Sequence, residues 1–158
     1  MNKLLLCAAA ALGAAFALPA AAHAQVYVGA GYTHYDTDSG DIGGVTGRVG
    51  YRFNPNFAVE GEGTFGVEDD DTVELEHAVG AYAVGILPLG QRFDLHGRVG
   101  YQQTEFDTPL GGADADGLAY GVGATFNVTE RFGVRADYTR LEGDLDTDTI
   151  GLGGVVKF

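Results

Sequence analysis

The sequence predicts an all-β fold, an eight-stranded antiparallel up-and-down barrel. Three observations carry this. Eight stretches of the chain alternate apolar residues with small or polar ones, and a period of two marks β-strands. The connections between the stretches alternate between short and long. The last stretch, residues 148–158, keeps its alternation to the final phenylalanine. A strand placed there leaves an open edge unless it pairs with the first one.

A different kind of segment precedes the first strand. Lys3 supplies a positive start, Leu4 to Leu18 is apolar and rich in alanine, and Ala22-His23-Ala24 has the small-residue pattern of a cleavage site. Residues 1–24 are therefore expected to be a cleaved signal peptide, leaving residues 25–158 as one domain. Cys7, the sole cysteine, falls inside the leader, so no disulfide is expected in the mature chain. The formal charge of −13 becomes −14 without Lys3. Such acidity argues against nucleic acid as a partner, because nothing would neutralise its phosphates.

The expected strands cover residues 26–35, 44–53, 57–67, 75–87, 93–105, 117–126, 131–141 and 148–158. Each has about the length that a tilted strand needs to cross a bilayer. Asn54-Pro55-Asn56, residues 88–92 and residues 127–130 are turn-like. Residues 36–43, 68–74, 107–116 and 142–147 are longer, and most of them are rich in Asp and Gly.

One face of every stretch is apolar. It reads Val28-Ala30-Tyr32, Val45-Val49-Tyr51-Phe53, Phe57-Val59-Phe65, Tyr82-Val84-Ile86, Leu95-Val99-Tyr101, Leu118-Tyr120-Val122-Phe126, Phe132-Val134-Ala136-Tyr138 and Ile150-Leu152-Val156-Phe158. In the fourth stretch alanines blur the alternation. The opposite face is small or polar, with Gly29, Gly31, Thr33, Thr46, Arg48, Glu60, Glu62, His96, Arg98, Arg135, Asp137, Gly151 and Gly153 among its members. An eight-stranded barrel is barely wide enough for side chains to fill, so the glycine-rich face suits the inside. The aromatics also sort by height. Phe53, Phe57, Phe93, Phe126, Phe132 and Phe158 stand beside the short turns, and Tyr32, Phe65, Tyr101, Tyr120 and Tyr138 stand toward the long loops. Two aromatic belts around an apolar band are what the two interfaces of a membrane select.

On these residues, from Val26-Tyr27-Val28-Gly29-Ala30-Gly31 to Val155-Val156-Lys157-Phe158, the chain resembles the small outer-membrane β-barrel proteins of Gram-negative bacteria. These include OmpA-type transmembrane domains, opacity and attachment proteins, and "porin family" barrels. The resemblance implies a place in the outer membrane, among its lipid and lipopolysaccharide. It also implies that Phe158 is an assembly signal read by the barrel assembly machinery.

Chemistry is harder to place. Ser39 is the sole serine, close in sequence to His34 and Asp36. Alternation puts His34 in the outward row of Tyr32, which suits an interfacial residue better than a catalytic base. The chain is read as non-enzymatic. Asp114, Asp116, Asp144, Asp146 and Asp148 echo the opening of calcium loops but lack the full spacing with its closing glutamate. They stand as weak metal candidates, with divalent cations as partners of the loops. The Gly-x-Gly pairs precede no helix and bind no nucleotide, so no cofactor is expected.

The inward charges are more telling. Arg48, Arg98 and Arg135 share a face with Glu60, Glu62 and Asp137. Counted from the turn at Asn54-Pro55-Asn56, Arg48 falls opposite Glu62, with Arg98 and Asp137 at a similar depth. Charges in a narrow lumen must be paired or they are costly. The function expected is thus a structural or surface-interaction role, with acidic extracellular loops and an occluded polar lumen. The alternative is a narrow porin-like channel for small solutes or ions.

Overall fold

The computed structural model describes residues 25–37, 40–67, 74–108, 111–143 and 146–158. The expected leader lies outside these residues, as do Ser39, Asp144 and the side chain of Asp114. Eight strands run in chain order: β1 (Gln25–Thr37), β2 (Gly40–Asn54), β3 (Phe57–Gly66), β4 (Glu74–Leu89), β5 (Phe93–Thr108), β6 (Gly111–Asn127), β7 (Phe132–Gly143) and β8 (Thr147–Lys157). Each pairs antiparallel with the next, and β8 returns to β1 to close the barrel. No strand edge is left open, which is how a β-protein made of alternating strands avoids pairing with foreign chains.

At the loop end several strands extend beyond the apolar band. Asp36 pairs with Asp41, and Asp107 with Gly112. The backbone ladder continues there because it needs no apolar side chains, only hydrogen-bond partners.

At the other end, polar side chains shape the short turns. Asn54 Oδ1 accepts the backbone N–H groups of Asn56 and Phe57 at 2.8 and 2.9 Å. Thr129 Oγ1 accepts that of Phe132 at 2.9 Å. Gly90 takes a positive φ of 83° in the turn before β5, a conformation that costs glycine little. The ladder between β2 and β3 shifts by one residue at Asn54, which pairs with Phe57, while the rings of Phe53 and Phe57 stack 6.5 Å apart. Above that bulge the register is regular, and Arg48 lies opposite Glu62.

Seven of the eight outward rows follow the sequence expectation, and both aromatic belts are exposed. β4 is the correction. Tyr82 and Val84 are 4% and 2% exposed and point inward with Ala78, while Ala81, Ala83, Gly85, Leu87 and Leu89 point outward. Both faces of β4 are apolar, so alternation could not choose between them. The neighbouring ladder chooses: Tyr82 lies opposite Glu60 of β3 and donates to Gln102 Oε1 of β5 at 2.7 Å. The lumen therefore holds more aromatic volume than expected, since Tyr27, Tyr35 and Tyr82 are all buried in it. Glycines make room for it; a Cβ on Gly50 would collide with the ring of Tyr27.

Candidate functional site

The interior is built in layers. At mid-height, β2, β3, β5 and β7 bring three arginines and three carboxylates together. Glu62 is the hub. Its Oε2 accepts from Arg48 Nε and Nη2 at 2.9 and 2.5 Å, and from Arg98 Nη1 at 2.7 Å. Arg48 Nη1 also donates to Asp137 Oδ2 at 2.9 Å, which carries the network across the barrel. Arg135 Nε donates to both oxygens of Asp137 at 3.0 Å. Its Nη1 and Nη2 reach Glu60 at 2.5 and 3.2 Å. The six charged residues singled out from the sequence are thus placed in one connected cluster.

Further polar partners complete it, and the sequence reading missed most of them. His96 Nε2 lies 2.6 Å from Asp137 Oδ1. Tyr27 donates to Glu60 Oε1 at 2.5 Å. Arg98 donates to Thr139 Oγ1 from Nε and Nη2 at 2.9 and 2.6 Å, and its guanidinium lies 4.4 Å from the centre of the Tyr82 ring. Among the described residues no buried side-chain nitrogen or oxygen lacks a partner. That completeness matters, because a half-satisfied buried network destabilises more than an apolar core would.

A layer of hydroxyls stands on the loop side of the ions. Thr33 meets Thr46 at 2.6 Å, and Thr46 meets Thr64 at 2.8 Å. Gln102 donates to Thr104 Oγ1 at 3.2 Å, and Thr149 donates to the carbonyl of Thr139 at 3.2 Å. Tyr35, Ile42 and Leu141 are buried near the same end. All these threonines have inward parity in the sequence, which was the available signal. On the short-turn side, Lys157 and Arg52 lie 3.8 and 3.9 Å from Asp94, and Lys157 also donates to Asn127 at 2.6 Å.

The outer wall carries a second pattern near the loops. His34 is opposite Gly43 but meets Asp41 at 3.9 Å, and Tyr101 is opposite Leu118 but donates to Asp116. Tyr120 is opposite Arg140 but donates to Glu142 at 2.8 Å. Tyr138 is opposite Ile150 but donates to Asp148 at 3.0 Å. Each acceptor sits on the next strand, two residues farther out than the direct partner. Such diagonal neighbours are within reach of an aromatic side chain.

Of the metal candidates, Asp116 is thus held by Tyr101, and Asp146 and Asp148 each lie 3.6 Å from Arg140. Among the described residues no three His, Cys, Asp or Glu side chains converge as a metal site. Phe158 projects outward at the end of the wall, its backbone N–H donating to the carbonyl of Val26 at 2.9 Å.

A family model described as an outer membrane protein beta-barrel domain matches residues 5–158. No curated protein matches the chain. Among solved structures, the chain is similar to Ail, the attachment invasion locus protein of Yersinia pestis, in complex with the heparin analogue sucrose octasulfate. The identity is 22% and the TM-score 0.62, over 86% of this chain and 99% of Ail. It is also similar to the N-terminal β-barrel domain of Pseudomonas aeruginosa OprF, at 16% identity and a TM-score of 0.68 over 85% of this chain and 97% of that one. OprG of the same organism matches at 14% identity and a TM-score of 0.64, over 86% of this chain and 96% of that one. At these identities the likeness is one of fold.

Proposed function

The chain belongs to the outer membrane protein β-barrel family and sits in the bacterial outer membrane, and from that premise we propose that it acts as a non-enzymatic wall protein with a shut lumen and an acidic outward rim. The observation that carries this reading is the bridge from Glu62 through Arg48 to Asp137, which spans the barrel where a pore would run. The non-enzymatic part is supported by His96, the buried histidine, which is held by Asp137 inside that bridge.

The rim bounds the partners. Seventeen of the 22 acidic residues lie in the long loops or the strand ends beside them, with Arg140 as the cation there. A sulfated ligand like the one bound to Ail would be repelled by that charge. Cationic surfaces fit it, as does lipopolysaccharide bridged through divalent ions.

A narrow channel is the second reading. Two small cavities, about 30 and about 20 Å³, adjoin the ion layer. Each is of the size that holds one or two waters, so conduction would require Arg48 to swing out of the bridge. Single-channel recording of the refolded protein separates the two. The wall reading expects a mostly closed membrane; steady conductance unchanged by Glu62→Ala would favour the channel.

A further inference from the structure

Four cations stand at the short-turn end, and a phenylalanine directly follows each: Arg52-Phe53, Arg92-Phe93, Arg131-Phe132 and Lys157-Phe158. All four rings are exposed on the outer wall. The cations divide into two kinds. Arg52 and Lys157 belong to β2 and β8, where alternation turns them inward onto Asp94. Arg92 and Arg131 lie in the turns before β5 and β7, and both are exposed. Among the described residues neither pairs with an acid. Their backbones are nonetheless fixed: the Arg92 carbonyl accepts from Asn127 N–H and the Arg131 carbonyl from Lys157 N–H, each at 2.7 Å.

We propose that Arg92 and Arg131 bind the phosphate groups of anionic phospholipids, making the short-turn end a docking surface for the headgroup layer of the leaflet around it. The inference rests on the outer-membrane reading above. The phenylalanines mark the edge of the hydrocarbon, so the residue before each one stands at headgroup height. A guanidinium offers five donors in a fork that suits phosphate oxygens, and a polar interface weakens their attraction less than bulk water does. Glu130 is the acid beside Arg131, whereas the sequence puts seventeen acids in the long loops or the strand ends beside them, where Arg140 already faces Asp146 and Asp148. An anionic headgroup is therefore drawn to one end and repelled from the other.

The test uses the exported protein in nanodiscs of phosphatidylcholine containing a minority of phosphatidylglycerol. Wild type, Arg92→Gln/Arg131→Gln and Arg140→Gln are compared by native mass spectrometry, counting the lipid that stays bound. Wild type should retain phosphatidylglycerol selectively, with its affinity falling about fivefold for each arginine lost. Arg140→Gln should retain it as wild type does. Equal retention of the two lipids by wild type would overturn the assignment, as would an equal loss in Arg140→Gln. Adding inorganic phosphate should displace little of the bound lipid, and full displacement would mean a free-anion site instead. Each protein is checked for the heat-modifiable migration of a closed barrel; its absence in wild type would overturn the membrane reading itself, and this assignment with it.

Discussion

Glu62 shows what a single residue does here. Two guanidiniums share one of its oxygens, Arg48 at 2.5 Å and Arg98 at 2.7 Å. Removing the carboxylate leaves Arg98 without an acidic partner and Arg48 with Asp137 as its remaining close one, in a site with little water. Glu62→Ala should therefore destabilise the barrel by about 3–5 kcal/mol. Heat-modifiability scans in vesicles should show the earlier melting, and single-channel recording should show more current. Arg48→Ala breaks the same bridge from the other side, and the double variant should cost less than the sum of the two singles. Additive losses would mean that the residues act independently. Tyr82→Phe is milder. It removes the hydrogen bond to Gln102 but leaves the ring beneath Arg98, so a loss of about 1 kcal/mol is expected.

Elements explain what could and could not be read from the sequence. Wherever one face of a strand was polar or glycine-rich, alternation fixed both its existence and its orientation; β7, with Arg135 and Asp137 inward against Val134 and Tyr138 outward, is the plainest case. The register from the Asn54 turn to Arg48 and Glu62 could be counted for the same reason. β4 could not be oriented, because Tyr82 and Val84 on one face are no more apolar than Leu87 and Leu89 on the other. Its orientation is a property of its neighbours on β3 and β5. The hydroxyl layer was hidden for another reason: parity placed Thr46 and Thr64 inside, but that they bond each other depends on their matching heights. Single-cysteine labelling checks β4 directly. A lipid-soluble maleimide should modify Ala83→Cys and leave Val84→Cys largely untouched; the reverse would restore the orientation expected from the sequence. β8 has its own test. If the assembly machinery reads this strand, deleting Phe158 should lower the amount of protease-resistant barrel in the membrane, and wild-type levels would count against that role.

For the whole molecule the decisive quantity is the distribution of charge along the axis. The lumen is balanced, the short-turn end is mildly basic, and the loop end is strongly acidic. Lipopolysaccharide phosphates around that acidic rim would repel it unless divalent ions lie between. Millimolar magnesium should therefore raise the melting temperature of the barrel in lipopolysaccharide-containing membranes, and sodium chloride of matched ionic strength should not. Equal shifts would reduce the effect to screening.

The ion layer also bears on the order of events during assembly. Split the barrel between β4 and β5. The first half contributes Arg48, Glu60 and Glu62 to the lumen, one negative charge in excess; the second contributes Arg98, Arg135 and Asp137, one positive charge in excess. Neither half is neutral alone, and each lacks hydrogen-bond partners held by the other. A chain stalled with only half its strands in the bilayer would expose unmatched charge to lipid, while the attraction between the halves pulls toward closure. Neutrality of the interior thus requires β2 and β3 to be joined by β5 and β7, which makes a trapped half-barrel a poor resting place.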